Sequence, residues 1–416
     1  MHTTAHIITI GDEILYGQIT DTNAQWMSKE LDAIGIKIIQ RLTIGDVKEE
    51  ILATLKYAEE KADIILITGG LGPTEDDLTK PCLAEYFGVD TKLNNEALIH
   101  LTALFKRFKF ELTPTNKLQA HLPTNCLMLP NKLGTAPGMW FFENNTVFVS
   151  MPGVPYEMKS LMTNFVLPKL KEQFELPVIY HKVVRTIGIG ESWLADKIKP
   201  WVDALPSSIS LAYLPSLREV KLRLTTAGKN LKTLKKEVDK QIDELKKYAG
   251  KYIYGYDSDN IQLVVGQLLA SKNQSIATAE SCTGGYLAHL ITSVPGSSAY
   301  YKGSIISYTK EIKQKELGVK SSTLEAYGVV SEQTAIEMAE GIRNKFGTTY
   351  GIATTGVAGP GGGTKEKPVG TVWIALATPT GTQAKLLSLA KDRMLNIEAS
   401  SKSALAFAWQ TFVQNT

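Results

Sequence analysis

Cysteine is scarce in this chain of 416 residues. The three present, Cys82, Cys126 and Cys282, stand far apart, and no CxxC occurs. That argues against a disulfide framework or a structural zinc site and suits a reducing compartment, so a cytoplasmic location is expected. Long apolar runs are missing too, and the run at residues 7–10 is far too short to cross a bilayer. No basic segment or small-residue cleavage site accompanies it, so neither a signal peptide nor a membrane partner is expected. Neither sign of charge prevails. With 45 basic and 42 acidic residues the formal net charge is +3, too little for a chain-wide nucleic-acid footprint. Internal repeats and low-complexity tracts are also lacking.

What is present is an ordinary globular balance, 44% hydrophobic and 21% charged, over a length that exceeds one core and predicts two or three domains. Residues 5–10, 36–42 and 64–68 read as strands. Between them Ala24, Met27, Leu31 and Ile34 recur at helical spacing before Gly35. Asp46 with Glu49 forms a capping-box signature ahead of Ile51, Leu52, Leu55 and Ala58. Strands alternating with helices predict a mostly parallel sheet with both faces covered and binding groups at the carboxyl ends of its strands. This first domain is placed at 1–168. Residues 169–252 read as a small α+β module, with strands at 182–187 and 220–226 and a lysine-rich helix over 231–248. Residues 255–260 look like a linker. The last domain, 253–416, is again α/β: strands at 275–279 and 349–354, a hairpin of 371–378 and 383–389 around Pro379-Thr380-Gly381, and a long terminal helix.

Two segments carry chemistry. In the last domain a strand enters Glu280-Ser281-Cys282-Thr283-Gly284-Gly285 and then a helix. A serine on such a turn suits nucleophilic attack, because amides at the helix start can hold an oxyanion and Gly284 and Gly285 allow close approach. The same residues could simply cap the helix. Ser281 needs a base, and His289 lies about 12 Å along the same helix, out of reach. Cys282 is an alternative nucleophile. A buried lysine with a lowered pKa is an alternative base, and Lys302, Lys310, Lys313 and Lys315 are all available. In the first domain, residues 68–79 read Thr-Gly-Gly-Leu-Gly-Pro-Thr-Glu-Asp-Asp-Leu-Thr. Gly69, Gly70 and Gly72 make a loop with amides for a phosphate, and Thr74, Glu75, Asp76 and Asp77 follow as oxygen ligands for a hard cation. An acidic helix start is the structural alternative.

The run 279–285, with 303–319 and 354–363, resembles the C-terminal domain of the CinA family, which is similar to nicotinamide-mononucleotide amidohydrolases. The resemblance implies Ser281 as nucleophile, activated by Tyr308 and Lys313 without a cofactor. It places Ser298, Thr355 and Arg393 among substrate- or network-forming residues, with Arg393 suited to the phosphate. Gly11-Asp12-Glu13, 68–79, Asn116, Gly134-Thr135-Ala136-Pro137-Gly138 and 152–158 resemble the N-terminal domain of the same family, similar in fold to three-layer molybdopterin-binding proteins. That likeness implies divalent-metal-dependent ADP-ribose pyrophosphatase activity yielding AMP and ribose 5-phosphate. Asp76, Asp77 and Glu13 are the expected metal ligands, Gly69, Gly70, Gly72 and Thr74 the substrate contacts, and Glu157 a further candidate.

The family's middle region resembles a KH-type fold. Here Ile187-Gly188-Ile189-Gly190-Glu191-Ser192 departs from the GxxG loop that clamps nucleotides, and Lys235–Asp239 and Lys240–Glu244 pair at i,i+4 along the lysine-rich helix. A spacer or dimerisation element in a homodimer is therefore expected, and nucleic acid is not an expected partner. The resulting expectation is a bifunctional pyridine-nucleotide hydrolase. The alternatives are a chain with one catalytic domain beside a nucleotide- or pterin-binding module, or a non-enzymatic partner in competence or DNA repair.

Overall fold

A computed structural model describes residues 3–74 and 76–414. Glu75 lies outside the described residues. The chain divides into two compact units, residues 1–180 with 227–235, and residues 181–226 with 236–416.

The first unit is built on a six-stranded sheet. Lys37–Ile44, Thr4–Ile10, Ile64–Thr68 and Thr146–Met151 run parallel in that order, and Gly138–Glu143 and Leu127–Leu129 extend the edge antiparallel. Strand side chains alternate in direction, so neighbours in sequence serve opposite cores. Ile7, Leu66 and Val149 pack with Met27 and Leu31 on one face. Ile8, Ile65, Ile67 and Phe148 pack with Leu55 and Leu83 on the other. This is the expected three-layer, mostly parallel arrangement. The first core also takes in Leu167 and Leu170 of the helix Leu167–Gln173, so the domain continues past the predicted end at 168. The helix Lys48–Glu59 starts without a side-chain cap, its N-cap position being Val47. The predicted capping box does not form, because the Asp46 carboxylate turns away to accept from the Asp12 amide at 3.3 Å.

The middle module is a four-stranded sheet in the order Ile209–Ser216, Glu219–Gly228, Val178–Ile187, Ile253–Tyr256, with helices Glu191–Asp203 and Leu231–Ala249. Two of these strands were not legible. Ile253–Tyr256 pairs antiparallel with Val178–Ile187, and Arg185 donates to the Asp257 carbonyl and to Glu219. The boundary predicted at 252 and the start of the predicted linker therefore fall inside this module.

The last domain holds a five-stranded sheet in the order Tyr301–Ile306, Ile276–Glu280, Tyr350–Gly356, Thr371–Thr378, Gly381–Ser388. The first three strands are parallel and the last two close the predicted antiparallel hairpin. One face is lined by Ala277, Ala279, Ala353, Ala375 and Ala377, small enough to let the helix Glu332–Phe346 approach closely. At Gly351 a Cβ would stand 2.2 Å from the Ala339 carbonyl oxygen, so no side chain fits there. The other face packs Ile276, Ile352 and Ile374 against the helices Ile261–Ser271, Tyr286–Thr292 and the terminal Arg393–Gln414. Among the described residues no helix is long and apolar enough to cross a membrane.

Candidate active site

Ser281 follows the strand Ile276–Glu280 at the carboxyl edge of the last sheet and is 9% exposed. Its backbone amide is anchored on the Thr354 carbonyl at 2.9 Å. Lys313 comes from the helix Lys310–Leu317, where it shares the buried face with Leu317. It is 1% exposed, and its Nζ donates to Ser281 Oγ at 2.9 Å and to the Ser307 carbonyl. Lys302, Lys310 and Lys315 are exposed, so burial singles out Lys313. The same burial lowers its pKa from 10.5 to about 8. The Cys282 thiol is driven the other way, pushed up to about 12 by burial, which leaves it protonated and poor as a nucleophile. His289 is exposed, with its ring beside that of Tyr286 at 5.9 Å between centroids.

The helix start is not free to bind an oxyanion, contrary to expectation. Glu280, fully buried, takes those donors itself: its carboxylate accepts from the amides of Gly285 at 2.9 Å, Leu287 at 3.1 Å and Ala288 at 2.8 Å, and from Thr283 Oγ1 at 2.7 Å. Thr283 Oγ1 also meets Thr354 Oγ1 at 2.7 Å. This network fixes the turn that carries Ser281. Left-handed backbone at Gly284 (φ 59°) and Gly285 (φ 100°) completes it. Apart from the contact of the Cys282 amide with its own thiol, the Cys282 and Thr283 amides have no intramolecular acceptor among the described residues and are the donors that remain beside Ser281. Sequence reading missed the role of Glu280, although a carboxylate ending a buried strand just before a glycine-rich helix start is a legible signal. Glu280→Gln replaces an acceptor with an amide that opposes N–H donors. It is expected to cost about 2–3 kcal/mol in urea unfolding, more than a surface change would.

The other expected residues divide. Tyr308 is 58% exposed, and its hydroxyl accepts from Arg393 Nη2 at 3.1 Å instead of meeting Ser281 or Lys313. Arg393 Nη1 donates to the Gly359 carbonyl at 2.6 Å, which ties the pair to the loop after the strand Tyr350–Gly356. Thr355 is buried and its hydroxyl donates to the Val329 carbonyl at 2.6 Å, so its one proton is spent on ordering a loop. Ser298 sits in the turn before the strand Tyr301–Ile306, at the edge of the sheet opposite Ser281. The structure does not bring it to the site.

A second site opens at the carboxyl edge of the first sheet, a cleft of about 480 Å³. Glu13, Gly69, Gly70, Gly72, Asp76 and Asp77 all line it, as expected. Their roles differ from those read in the sequence. The Gly69 amide donates to the Met151 carbonyl at 3.1 Å and the Gly72 amide to Asp77 Oδ1 at 2.7 Å. Asp77 Oδ2 accepts from the Thr74 amide at 3.0 Å and the Thr74 hydroxyl at 2.5 Å. Asp77 and Thr74 therefore lock the loop, and the Gly70 and Leu71 amides remain without an intramolecular acceptor among the described residues. The glycines are steric necessities: a Cβ at Gly69 would stand 2.0 Å from the Ile10 carbonyl oxygen. Asp46, missed as a site residue, lines the same cleft, and burial together with the charges of Asp12, Glu13 and Asp76 raises its pKa. Glu157 is buried and accepts from Asn131 Nδ2 at 2.6 Å. Among the described residues no three His, Cys, Asp or Glu side chains form a group that could hold a metal ion, so Asp76, Asp77 and Glu13 are not a ready cage.

Comparison with known families matches most of the chain in three parts. Residues 6–172 match the family described as "Probable molybdopterin binding domain", 181–255 the "Damage-inducible protein CinA KH domain", and 258–412 the "CinA C-terminal domain". The chain is 50% identical to a CinA-like protein of Cytophaga hutchinsonii, over 97% of both chains. It is 46% identical to a CinA-like protein of Flavobacterium psychrophilum, over 99% of both. Among solved structures, the protein CinA of Thermoplasma acidophilum, titled as of unknown function, is 31% identical. That match covers 42% of this chain and 99% of that one, with a TM-score of 0.38.

Proposed function

The chain belongs to the CinA family, and from that premise we propose that its C-terminal domain is a serine–lysine amidase acting on nicotinamide mononucleotide. The observation that carries this reading is the contact of Ser281 Oγ with a buried lysine Nζ at 2.9 Å whose pKa lies near 8. An ordinary lysine is almost wholly protonated at pH 7, whereas one titrating near 8 is neutral in about a tenth of molecules. Neutral Lys313 takes the Ser281 proton as Oγ attacks the carboxamide carbon. The oxyanion that forms faces the amides of Cys282 and Thr283. Lys313 then gives the proton to the departing nitrogen, ammonia leaves, and water hydrolyses the acyl-enzyme to nicotinic acid mononucleotide and free Ser281. Arg393 commits two of its donors to Gly359 and Tyr308 among the described residues and offers others to the substrate phosphate. Tyr308 holds that guanidinium in place.

Because the base must be neutral, kcat/KM for deamidation should climb about tenfold per pH unit below 8 and level off above it. A profile flat from pH 6 to 9 would remove Lys313 as the base.

The N-terminal cleft we read as a site for ADP-ribose, with the Gly70 and Leu71 amides toward the diphosphate. The carboxylates do not form a three-ligand cage among the described residues, so any divalent ion would be shared with the diphosphate, with Glu13, Asp46 and Asp76 the carboxylates of the cleft nearest to hand for it. The same observation favours, as a second reading, a nucleotide- or pterin-binding module without hydrolysis. The decisive experiment incubates the purified chain with nicotinamide mononucleotide in the presence of a chelator and measures ammonia and nicotinic acid mononucleotide. Product from the wild type and from a variant with Asp76→Asn and Asp77→Asn supports the amidase; none from a folded wild type removes it.

A further inference from the structure

A cleft of about 560 Å³ lies in the seam where the middle module meets the last domain, and none of its lining residues belongs to either site above. One wall is the loop 188–193 with the hairpin tip 215–220, the other the edge strand Gly381–Ser388 with the terminal helix. The two sides fold as one unit: Ile187 enters the core of the last domain, and the Tyr254 and Trp409 rings meet edge to face at 6.2 Å. The cleft is therefore built into the fold.

Arg218 marks it. The hairpin closes at the pair Ser216 and Glu219, so Leu217 and Arg218 form a two-residue turn. Arg218 holds left-handed backbone (φ 64°), a conformation that turns normally give to glycine or asparagine. Other residues kept in this region cluster at ligand sites. The Arg218 side chain crosses the seam and donates from Nε to Ser403 Oγ at 3.0 Å, a neutral partner. Shielding of the guanidinium lowers its pKa, and no carboxylate stands near enough to raise it. The adjacent Glu219 is spent on Arg185 and Tyr254. A charge drawn from water without a counter-ion calls for an anion. Lys385, exposed on the facing strand, brings a second cation to the same cleft. Trp193 is 71% exposed, its ring resting on Gly190, where a Cβ would stand 2.6 Å from it. An indole so open offers a face for a flat ring to stack on. Glu191, exposed beside it, supplies an acceptor for hydroxyl groups.

We propose that this cleft binds a mononucleotide, with Arg218 and Lys385 on the phosphate, Glu191 on the ribose hydroxyls and Trp193 against the base. The proposal is independent of the two reactions above. Its test counts the AMP molecules held by the full chain in equilibrium dialysis with radiolabelled AMP. Any AMP bound in the N-terminal cleft or beside Ser281 adds equally to every protein compared, so the difference between proteins reports this cleft alone. Arg218→Gly should weaken AMP here by about 10- to 100-fold, and the wild type should hold one AMP more than the variant. The thermal midpoint of Arg218→Gly should not fall, because glycine takes the left-handed turn freely. Trp193→Ala, a change at an exposed position, should weaken AMP by about tenfold and leave ribose 5-phosphate, which lacks a base, unaffected. Equal AMP counts in the wild type and Arg218→Gly would overturn the proposal, and a lowered midpoint with them would make Arg218 a brace between hairpin and helix. Inorganic phosphate displacing AMP from this cleft at equal concentration would overturn it as well, since the base would then add nothing. So would a short single-stranded RNA that displaced AMP at far lower concentration, which would make the cleft a groove for a strand.

Discussion

Ser281→Ala is expected to reduce deamidation of nicotinamide mononucleotide by about 10,000-fold or more, the scale on which a lost nucleophile acts. Steady-state ammonia release measures it. The variant should fold normally, since Ser281 is anchored through its backbone amide and Lys313 keeps the Ser307 carbonyl as a partner. It should also leave ADP-ribose cleavage untouched, because none of the residues lining the N-terminal cleft belongs to the last domain. A folded Ser281→Ala protein that retained a tenth of wild-type turnover would end the serine mechanism. Loss of both activities in a folded protein would end the two-site reading.

Lys313→Met should give an equal loss of deamidation, and combining it with Ser281→Ala should add little, because nucleophile and base act as one unit. Unlike most active-site changes, it should stabilise the fold. The lysine titrates near 8 in the folded chain and near 10.5 when exposed, so folding below pH 8 carries the cost of burying its charge. From 8 to 10.5 the unfolded chain holds the extra proton, and wild-type stability rises with pH across that window. The shift corresponds to on the order of 3 kcal/mol below pH 8, an upper bound for what methionine, apolar and of similar length, would recover. Thermal unfolding at pH 7 and pH 10 checks both parts: the variant should gain several degrees at pH 7 and lose that advantage by pH 10. A variant less stable than wild type at pH 7 would mean that the Nζ hydrogen bonds outweigh the desolvation.

Much of this was legible. Alternation of strand and helix, the positions Met27 and Leu31, and the hairpin around Pro379-Thr380-Gly381 follow from periodicity and turn chemistry, and the structure has them. The choice of Lys313 among four lysines could have been made from its i,i+4 spacing to Leu317, which marks the buried face of a short helix. Other features had no local signal. The edge strand Ile253–Tyr256 is four residues long and gains its identity only by pairing with a strand some seventy positions earlier. Asp46 carries the local mark of a helix cap and is drawn off by the Asp12 amide, a tertiary interaction. Asp77 reads as a cation ligand because an acidic residue after a glycine loop has two uses, and only geometry reveals that its oxygens are already spent on Gly72 and Thr74.

That last arrangement bears on how the first domain meets its ligand. A segment rich in glycine is usually floppy, and fastening it around a phosphate normally consumes part of the binding free energy as lost chain entropy. Here Asp77 and the Met151 carbonyl hold the loop in its final shape beforehand. The ordering of the Gly69–Thr74 segment is completed during folding, so a ligand bound there would meet amides already in place. On the proposed reading, recognition would then be a matter of matching amides set in advance, with little of the binding free energy spent on closing the loop.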